Sequence, residues 1–319
     1  MKLASLPVAS LADTAPAIAK SISDASDGIL WLDGVPEAPF DKIAEVLQSL
    51  VQDRSVGKRL NDAYSKNLVF KDSFANGNGG PTIDRKRVLD LSPERLAIIQ
   101  EAEPDLILSH PDLSAVLHFW EESKCSTHKI LKALALAIGS DDVVQDAAFN
   151  YRMVDYNAYE KDGLDAPRCG EHRDFGSFTL IQAVEPGFQY QSQDGDWMAV
   201  EPRAGAALLL FGWCTQIRSN GRIPAAMHRV VDLVPRRVSA VLFCAPKNPE
   251  TTLEPVVLDD EARQYIGGVM VGQLRGKMAR KWRHREGTED DKDRIYEEEE
   301  IRVTNMKTQD DVVRTFVAV

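Results

Sequence analysis

The stretch SFTLIQAVEPGFQYQSQDGDWMAVEPRAGAALLLF, residues 177–211, decides the fold of this chain. Short apolar runs alternate in it with turn residues. The pair Asp194-Gly195 suits the tight turn that the twist of two antiparallel strands prefers. This pattern predicts antiparallel strands in close succession, which is typical of an all-β sandwich or barrel.

The same pattern begins near Ala148, and no internal repeat or clean domain linker interrupts it. Seven strands are predicted: Phe149–Tyr156, Ser177–Ala183, Gly187–Gln191, Asp196–Val200, Ala206–Phe211, Met227–Val234 and Arg237–Cys244. The chain is therefore expected to be mainly β.

Helices are expected on both sides of these strands. Asp41–Arg54 carries apolar residues on one helical face, and Pro111–Ile138 does so over a longer stretch that ends at Gly139, so we expect the second helix to back a sheet. After Asp259, five apolar residues recur every four positions and predict a third helix: Ile266, Met270, Leu274, Met278 and Trp282. Residues 76–81, NGNGGP, indicate a loop.

Composition limits the possible partners and compartments. The 319 residues carry 38 Lys and Arg against 49 Asp and Glu, a net charge of -11 that argues against nucleic acid as a partner. No secretory signal or bilayer-spanning run is recognised, so we expect a cytoplasmic protein without a membrane partner. Four cysteines without a CxxC pair indicate reduced thiols: Cys125, Cys169, Cys214 and Cys244.

A possible metal site begins at His172-Arg173-Asp174. In an extended strand, residues two apart point to the same side, so His172 and Asp174 can converge on one metal ion. His228, in another predicted strand 56 residues later, can supply the third ligand. Two imidazoles and one carboxylate leave coordination positions open, which suits Fe(II) oxygenases, with zinc as the competing metal. An HxD triplet alone arises often by chance.

A second feature is Arg237-Val238-Ser239, which follows His228 by nine residues. A guanidinium inside a barrel needs a partner, because an unpaired interior charge costs free energy. The carboxylate of a ligand, held by the fork of Arg237 and the hydroxyl of Ser239, would supply one. The simpler alternative is an arginine on the protein surface.

Taken together, these segments resemble the 2-oxoglutarate/Fe(II) dioxygenases of the isopenicillin-N-synthase-like group, over about a third of the chain. The matching segments are His172–Gly176 with Thr179–Gln182 (HxDxG…TLL), Gly187–Gln189 with Asp194–Trp197 (GLQ…DGxW), Ser219–Arg222 with His228–Val231 (SNGR…HRVV), and Arg237–Ser239 (RxS). Arg152–Tyr156 resembles the RxNxY strand of the group, with Val154 where asparagine is common.

The resemblance implies a distorted double-stranded β-helix, a jelly roll of the cupin kind. It implies that His172, Asp174 and His228 hold Fe(II). Arg237 and Ser239 would bind the distal carboxylate of 2-oxoglutarate, which Tyr156 would also reach. Residues 141–250 would be the catalytic barrel, residues 1–140 a mixed helical region packed on it, and residues 251–319 a C-terminal helix and tail of the same globular unit.

The implied activity is an O2-dependent oxidation, by default hydroxylation, of a small molecule such as a secondary metabolite. Succinate and CO2 are the co-products, and ascorbate is expected to help in vitro. Candidate substrate contacts follow from position in the barrel: Arg152, Phe175, Phe211 and Phe243. The sequence leaves the oligomeric state open.

Three alternatives remain at this point. One is an Fe(II) oxidase of the same fold that does not use 2-oxoglutarate and binds a substrate carboxylate at Arg237 and Ser239. The second is a catalytically silent barrel that binds a small molecule. The third is a zinc hydrolase, which the pattern disfavours because it supplies no additional evident general base.

Overall fold

Two sheets form the centre of the molecule. The computed structural model describes residues 3–7, 15–64, 69–72, 86–105, 110–156, 168–231, 236–276 and 278. Its strands are β1 (Ser5–Pro7), β2 (Ile29–Asp33), β3 (Phe70–Asp72), β4 (Arg87–Leu91), β5 (Ala147–Asp155), β6 (Cys169–His172), β7 (Phe178–Ala183), β8 (Phe188–Gln191), β9 (Trp197–Val200), β10 (Ala206–Phe211), β11 (His228–Val230), β12 (Val238–Pro246), β13 (Thr252–Leu253) and β14 (Val269–Met270).

The large sheet has the strand order β1-β2-β10-β7-β12-β5-β4-β3, and the small sheet has the order β6-β11-β8-β9. From β5 to β12 the chain passes repeatedly between the two sheets. Apolar side chains from both sheets pack in one interior cluster, which includes Ile181 and Val241 from the large sheet and Phe188 and Val230 from the small one. This arrangement is the distorted double-stranded β-helix that was expected, and the fold prediction is confirmed.

The helices are α1 (Ala15–Ser23), α2 (Phe40–Gln52), α3 (Arg54–Ala63), α4 (Pro93–Ala102), α5 (Pro111–Ile138), α6 (Asp142–Gln145) and α7 (Trp213–Arg218). Helix α5 has the predicted bounds and ends at Gly139, whose φ of 87° lies in the left-handed region. Trp120 of α5 stacks on Tyr151 of β5, with ring centroids 4.8 Å apart. The long helix therefore backs the outer face of the large sheet. Within the described residues, no helix combines the length and apolarity needed to cross a membrane.

Side-chain alternation separates the two faces of β5. Tyr151 and Met153 join the core beneath the helices, whereas Val154 and Tyr156, the latter directly after the strand, join the interior of the barrel. The interior face is therefore the one on which a site enclosed by both sheets is built.

Several sequence predictions need correction. The prediction of the third helix is wrong at its start. Ile266 lies in irregular chain, Met270 ends β14, and helical residues begin only at 271. Strand β11 is shorter than predicted, and residues 232–235 lie outside the described part, as do the loop at 76–81 and Trp282. Strand β6 ends at His172, so Asp174 follows the strand and is not part of it.

Candidate functional site

The two histidines predicted as ligands lie on neighbouring strands of the small sheet. His172 ends β6, His228 begins β11, and the antiparallel register pairs them directly. Their ring centroids are 4.2 Å apart. Asp174, two residues beyond β6, completes the group, and one ligand atom from each residue lies within 4.8 Å of the others. The structure therefore brings the three predicted side chains together.

Backbone carbonyls orient both imidazoles. Nδ1 of His172 lies 2.8 Å from the oxygen of Gly170, and Nδ1 of His228 lies 3.0 Å from the oxygen of Ala226. A carbonyl oxygen only accepts hydrogen bonds, so each Nδ1 carries the proton and each Nε2 presents its lone pair. These Nε2 atoms lie 3.6 and 3.9 Å from oxygens of the Asp174 carboxylate.

The Asp174 carboxylate is held by a neighbour on β7. Thr179 donates its hydroxyl to Oδ2 at 2.6 Å, and the backbone N–H of Trp213 donates to the Asp174 carbonyl at 2.9 Å. Burial raises the pKa of Asp174, but the imidazoles of His228 and His172 and the Thr179 hydroxyl outweigh burial and hold that pKa below its usual value.

Two glycines allow the chain to pack tightly around this carboxylate. A Cβ at Gly176 would lie 2.2 Å from the carbonyl oxygen of Cys244 on β12. A Cβ at Gly212 would lie 2.3 Å from the carbonyl oxygen of Gly176 and 2.8 Å from that of Asp174. Any larger residue would move the backbone that carries Asp174. The glycine of the HxDxG pattern therefore serves close packing.

The donor set fits a ferrous ion. Two imidazole nitrogens and one carboxylate oxygen converge at a largely buried position, and each donor is oriented by a further hydrogen bond. Nitrogen and oxygen donors of this type on one side of a metal are characteristic of non-haem Fe(II) centres that keep positions open for other ligands. Cys169 is not in this group; its sulfur lies 3.5 Å from Nζ of Lys86.

Arg237 lies deeper in the barrel, directly before β12. The residue is buried, its guanidinium donates to the Ser239 hydroxyl, and its Nε has no hydrogen-bond partner. Its guanidinium carbon lies 5.4 Å from the ring centre of Tyr156. Burial lowers the pKa of Arg237, while Tyr156 and Glu185 act in the opposite direction. Within the described chain no carboxylate forms an ion pair with this cation, so an anionic ligand would satisfy it.

A pocket with about 300 Å³ of empty space reaches Arg237. Its lining includes the apolar residues Ile181, Phe188 and Leu208, together with Trp31 and Arg203. Besides apolar side chains, the lining contains the buried cation Arg237, a second arginine and the two acids Glu185 and Glu201.

The predicted substrate contacts lie in different places. Arg152 and Phe243 are close together in the barrel, with the guanidinium carbon 5.1 Å from the ring centre. Phe211 packs in the core beneath the helices, and Phe175 packs with Trp213 and Leu253 in a separate cluster beyond α7. Phe175 and Phe211 therefore do not face the barrel interior as predicted: strand alternation in β10 turns Phe211 to the helix side, opposite to Leu208 and Leu210, and Phe175 lies in the bend that follows β6.

Two polar residues of this region were not singled out from the sequence as site residues. Thr179 lies within β7, FTLIQA, and a hydroxyl in a buried apolar strand is the signal that could have found it. Asp90 lies in β4, RVLDL, where an acid in an apolar strand signals a buried ion pair. In the structure, Asp90 binds Arg152 through two hydrogen bonds, of 2.7 and 2.8 Å.

A jelly-roll barrel with two histidines and one aspartate converging in its interior defines the class of non-haem Fe(II) oxygenase folds. The sequence profile of the 2OG-Fe(II) oxygenase superfamily matches residues 146–246. Residues 146–246 are therefore similar to this superfamily, and the resemblance stated from the sequence is confirmed.

Named relatives agree with this assignment. The chain is 28% identical over 155 residues to a homoarginine-6-hydroxylase of Oryza sativa subsp. japonica, covering 45% of this chain and 46% of that protein. It is 32% identical over 127 residues to the 2-oxoglutarate-dependent dioxygenase DAO of Oryza sativa subsp. indica, covering 38% and 42%. The matched segment thus spans less than half the length of these curated relatives.

A solved structure extends the likeness in fold. The rice dioxygenase for auxin oxidation superposes with a TM-score of 0.66 at 20% identity, covering 90% of this chain and 96% of that one. The elements outside residues 146–246 therefore also follow the architecture of this fold.

Proposed function

We propose that this protein is a 2-oxoglutarate- and Fe(II)-dependent dioxygenase that oxidises, by default hydroxylates, a small organic molecule. The observation that carries the proposal is the pairing of two sites inside one barrel. His172, Asp174 and His228 form a ligand set for iron, and the buried Arg237 forms no ion pair with an acid among the described residues. A dicarboxylic keto acid satisfies both, because one end can chelate the metal and the other can bind the guanidinium.

The protein's own groups then have distinct tasks. His172, Asp174 and His228 hold the metal, and Thr179 orients the aspartate. Arg237 and Ser239 bind the distal carboxylate of 2-oxoglutarate, with Tyr156 beside them. The bound iron supplies O2 activation coupled to decarboxylation of 2-oxoglutarate to succinate and CO2. The barrel excludes water and orients one C–H bond of the substrate.

Small-molecule chemistry is also what the relatives' names indicate, since they are a homoarginine hydroxylase and a dioxygenase for auxin oxidation. We infer a substrate of that size, for example a secondary metabolite. We further infer that residues 1–140, 141–250 and 251–319 act as one unit, since β2 extends the barrel sheet beside β10. The four cysteines, all of them in the described part of the chain, form no disulfide, which agrees with a cytoplasmic location.

The test is succinate formation from 2-oxoglutarate by purified protein with Fe(II), ascorbate and O2, alone and with a metabolite panel. We expect formation to stop with a chelator, to return with Fe(II) but not with Zn(II), and to rise with the correct metabolite. Substrate oxidation with O2 uptake and no succinate would instead identify the 2-oxoglutarate-independent oxidase. Iron binding without turnover of any panel member or of 2-oxoglutarate would identify a binding barrel.

A further inference from the structure

An acidic side chain, Glu185, lines the same pocket as the buried Arg237. Glu185 lies in the turn between β7 and β8. Its Oε2 accepts a hydrogen bond of 3.1 Å from the backbone N–H of Val238, the residue directly after Arg237. The Glu185 carboxylate is therefore held at the beginning of β12, beside the point at which Arg237 leaves the backbone.

The turn that carries Glu185 also packs against the Arg237 side chain. Gly187 has a φ of 122°, and a Cβ there would lie 2.9 Å from the carbonyl oxygen of Val231 and 3.6 Å from Cδ of Arg237. The backbone N–H of Val231 donates to the carbonyl oxygen of Gly187 at 2.9 Å. A larger residue at 187 would be strained and would push the turn away, so the glycine allows this close approach. The backbone thus sets the position of Glu185 relative to Arg237.

Glu185 is close to Arg237 but does not form an ion pair with it. The carboxylate is within electrostatic reach of the guanidinium, yet Arg237 has no ion pair with any acid in the described part of the chain. Glu185 instead uses its hydrogen bond to the backbone at Val238. Two opposite charges therefore border one pocket as separate groups, and each can act on a ligand.

The other charged groups of the lining act more weakly on a ligand. Arg203 is paired with Asp33, whose two carboxylate oxygens lie 3.1 and 3.2 Å from Nη2 of Arg203. Glu201 is exposed, so solvent and salt screen its charge. Glu185 is half-buried and Arg237 is buried. These two residues therefore supply the charges that a ligand in the pocket meets most directly.

This pair of charges favours a ligand with a single carboxylate at this end of the barrel. A carboxylate that binds Arg237 gains a charge-assisted contact. A second carboxylate beside it would meet the like charge of Glu185 where screening is weak, and such a juxtaposition costs binding free energy. Repulsion of this kind is a common way to exclude a wrong ligand. A linear dicarboxylic acid avoids the repulsion, whereas a tricarboxylic acid of similar length does not.

We propose that Glu185 is a specificity-determining residue of the co-substrate pocket, where it favours linear 2-oxo dicarboxylic acids and excludes tricarboxylic acids. The inference rests on the proposed function, because that function assigns the pocket at Arg237 to 2-oxoglutarate. Glu185 acts on the ligand through its charge, and the hydrogen bond from Val238 determines where that charge lies.

The test is competition against 2-oxoglutarate on protein loaded with Fe(II) in the absence of O2, so that no turnover occurs. The competitors are glutarate and tricarballylate, which share a five-carbon chain and differ by one carboxylate on the central carbon. Wild-type protein should bind glutarate at least about tenfold more tightly than tricarballylate. Glu185→Gln should reduce this ratio by at least about fivefold and tighten 2-oxoglutarate about threefold, because the amide oxygen still accepts from Val238 but carries no charge.

Glu254→Gln is the matched control. Glu254 is exposed and outside the pocket lining, and its Oε1 accepts a hydrogen bond of 2.7 Å from the backbone N–H of Gly268. Like Glu185→Gln, this variant removes one negative charge and keeps an acceptor for a backbone N–H. It should therefore retain both the wild-type ratio and the wild-type affinity for 2-oxoglutarate. Thermal unfolding verifies that each variant is folded.

Two results would overturn the inference: no preference of wild-type protein for glutarate over tricarballylate, or the same preference in Glu185→Gln as in wild type. The first is measured on wild-type protein alone, so it decides even if Glu185→Gln does not fold. Failure of wild-type protein to bind 2-oxoglutarate contradicts the proposed function. Normal 2-oxoglutarate binding with either of the two results contradicts only the role of Glu185.

Discussion

Two arginines of the barrel interior, Arg237 and Arg152, differ in whether an acidic side chain of the described protein forms an ion pair with them. Arg237 is almost fully buried, donates to the Ser239 hydroxyl, and has no ion pair with a described acid. Arg152 is more exposed and is bound at two points by Asp90. The residue type, the sheet and the interior face are shared, so the difference lies in whether the chain itself supplies the counter-charge.

This difference separates two ways of using a buried cation. An arginine without an internal acid is satisfied only when an anionic ligand arrives, so its full positive charge contributes to binding. An arginine paired with an acid binds a ligand with less net charge but in a fixed orientation. The first suits an invariant carboxylate such as that of a co-substrate, and the second suits selection among substrates of similar size.

The largest effect is expected at the metal group between the two arginines. Asp174→Ala removes the carboxylate from the three ligands, and we expect loss of iron binding and of succinate formation by at least about a thousandfold. Iron content and succinate are measured together. Asp194→Ala, in an exposed hairpin turn, is the control and should behave as wild type. Retained activity in Asp174→Ala would remove the basis for treating Arg237 as a co-substrate site.

The next largest effect is expected at Arg237. Arg237→Ala should weaken 2-oxoglutarate by about a hundredfold, because a buried charge-assisted contact is lost, while iron binding is kept. The measurements are the apparent KM for 2-oxoglutarate and the iron content. The neighbouring Arg236, which is exposed, gives the matched control Arg236→Ala. An unchanged KM for 2-oxoglutarate in Arg237→Ala would mean that Arg237 does not bind the co-substrate.

The sequence predicted the binding partner of Arg237 more completely than that of Arg152. Arg237 could be interpreted because it lies in a short local pattern, Arg237-Val238-Ser239, at a fixed distance from His228. The three proposed metal ligands were accessible for a similar reason, because His172 and Asp174 lie two residues apart and one return strand brings His228 beside His172. The prediction that Arg152 meets an acidic group of a ligand missed its internal partner Asp90, which lies 62 residues earlier on a strand that was not predicted.

The remaining errors have related causes. A period of four among apolar residues does not distinguish a helix from irregular chain that packs against a core, and Ile266 and Val269 are buried without being helical. Phe175 and Phe211 were assigned by their distance from a motif along the chain. In β10, alternation turns Phe211 to the helix side, opposite to the interior residues Leu208 and Leu210. Phe175 lies in a bend outside the strands, where alternation gives no prediction.

A smaller effect, on stability, is expected at the Asp90 pair. Asp90→Asn should lower the free energy of unfolding at pH 7 by about 2 kcal/mol, because it weakens two charge-assisted hydrogen bonds. The control is Asp62→Asn, because Asp62 forms an exposed ion pair with Lys58. This variant should change the free energy of unfolding by less than about 0.5 kcal/mol. Urea denaturation measures both.

The pH dependence of that difference follows from the pKa of Asp90. Burial raises this pKa, but Arg152 outweighs burial and holds it below the ordinary value of 3.8. The stabilisation is therefore fully present above pH 3.8, where the unfolded chain is also ionised, and it is lost as the pH falls through the lower folded value. The difference in the free energy of unfolding between wild type and Asp90→Asn should therefore become smaller below pH 3.8. A gap that stayed constant with pH would show that Asp90 does not act as a charge.

The smallest effect is expected at Thr179. Its hydroxyl binds the Asp174 carboxylate, and on β7 it lies directly opposite Phe243 of β12. Thr179→Val keeps the shape but removes the hydroxyl that binds Asp174 at 2.6 Å, so the carboxylate can rotate, and we expect iron affinity to fall about tenfold. Thr179→Ser keeps the hydroxyl and should stay close to wild type. Competitive iron binding against a chelator measures both. A loss of iron affinity in Thr179→Ser as large as that in Thr179→Val would contradict this role of the hydroxyl, because the serine variant keeps the group that binds Asp174.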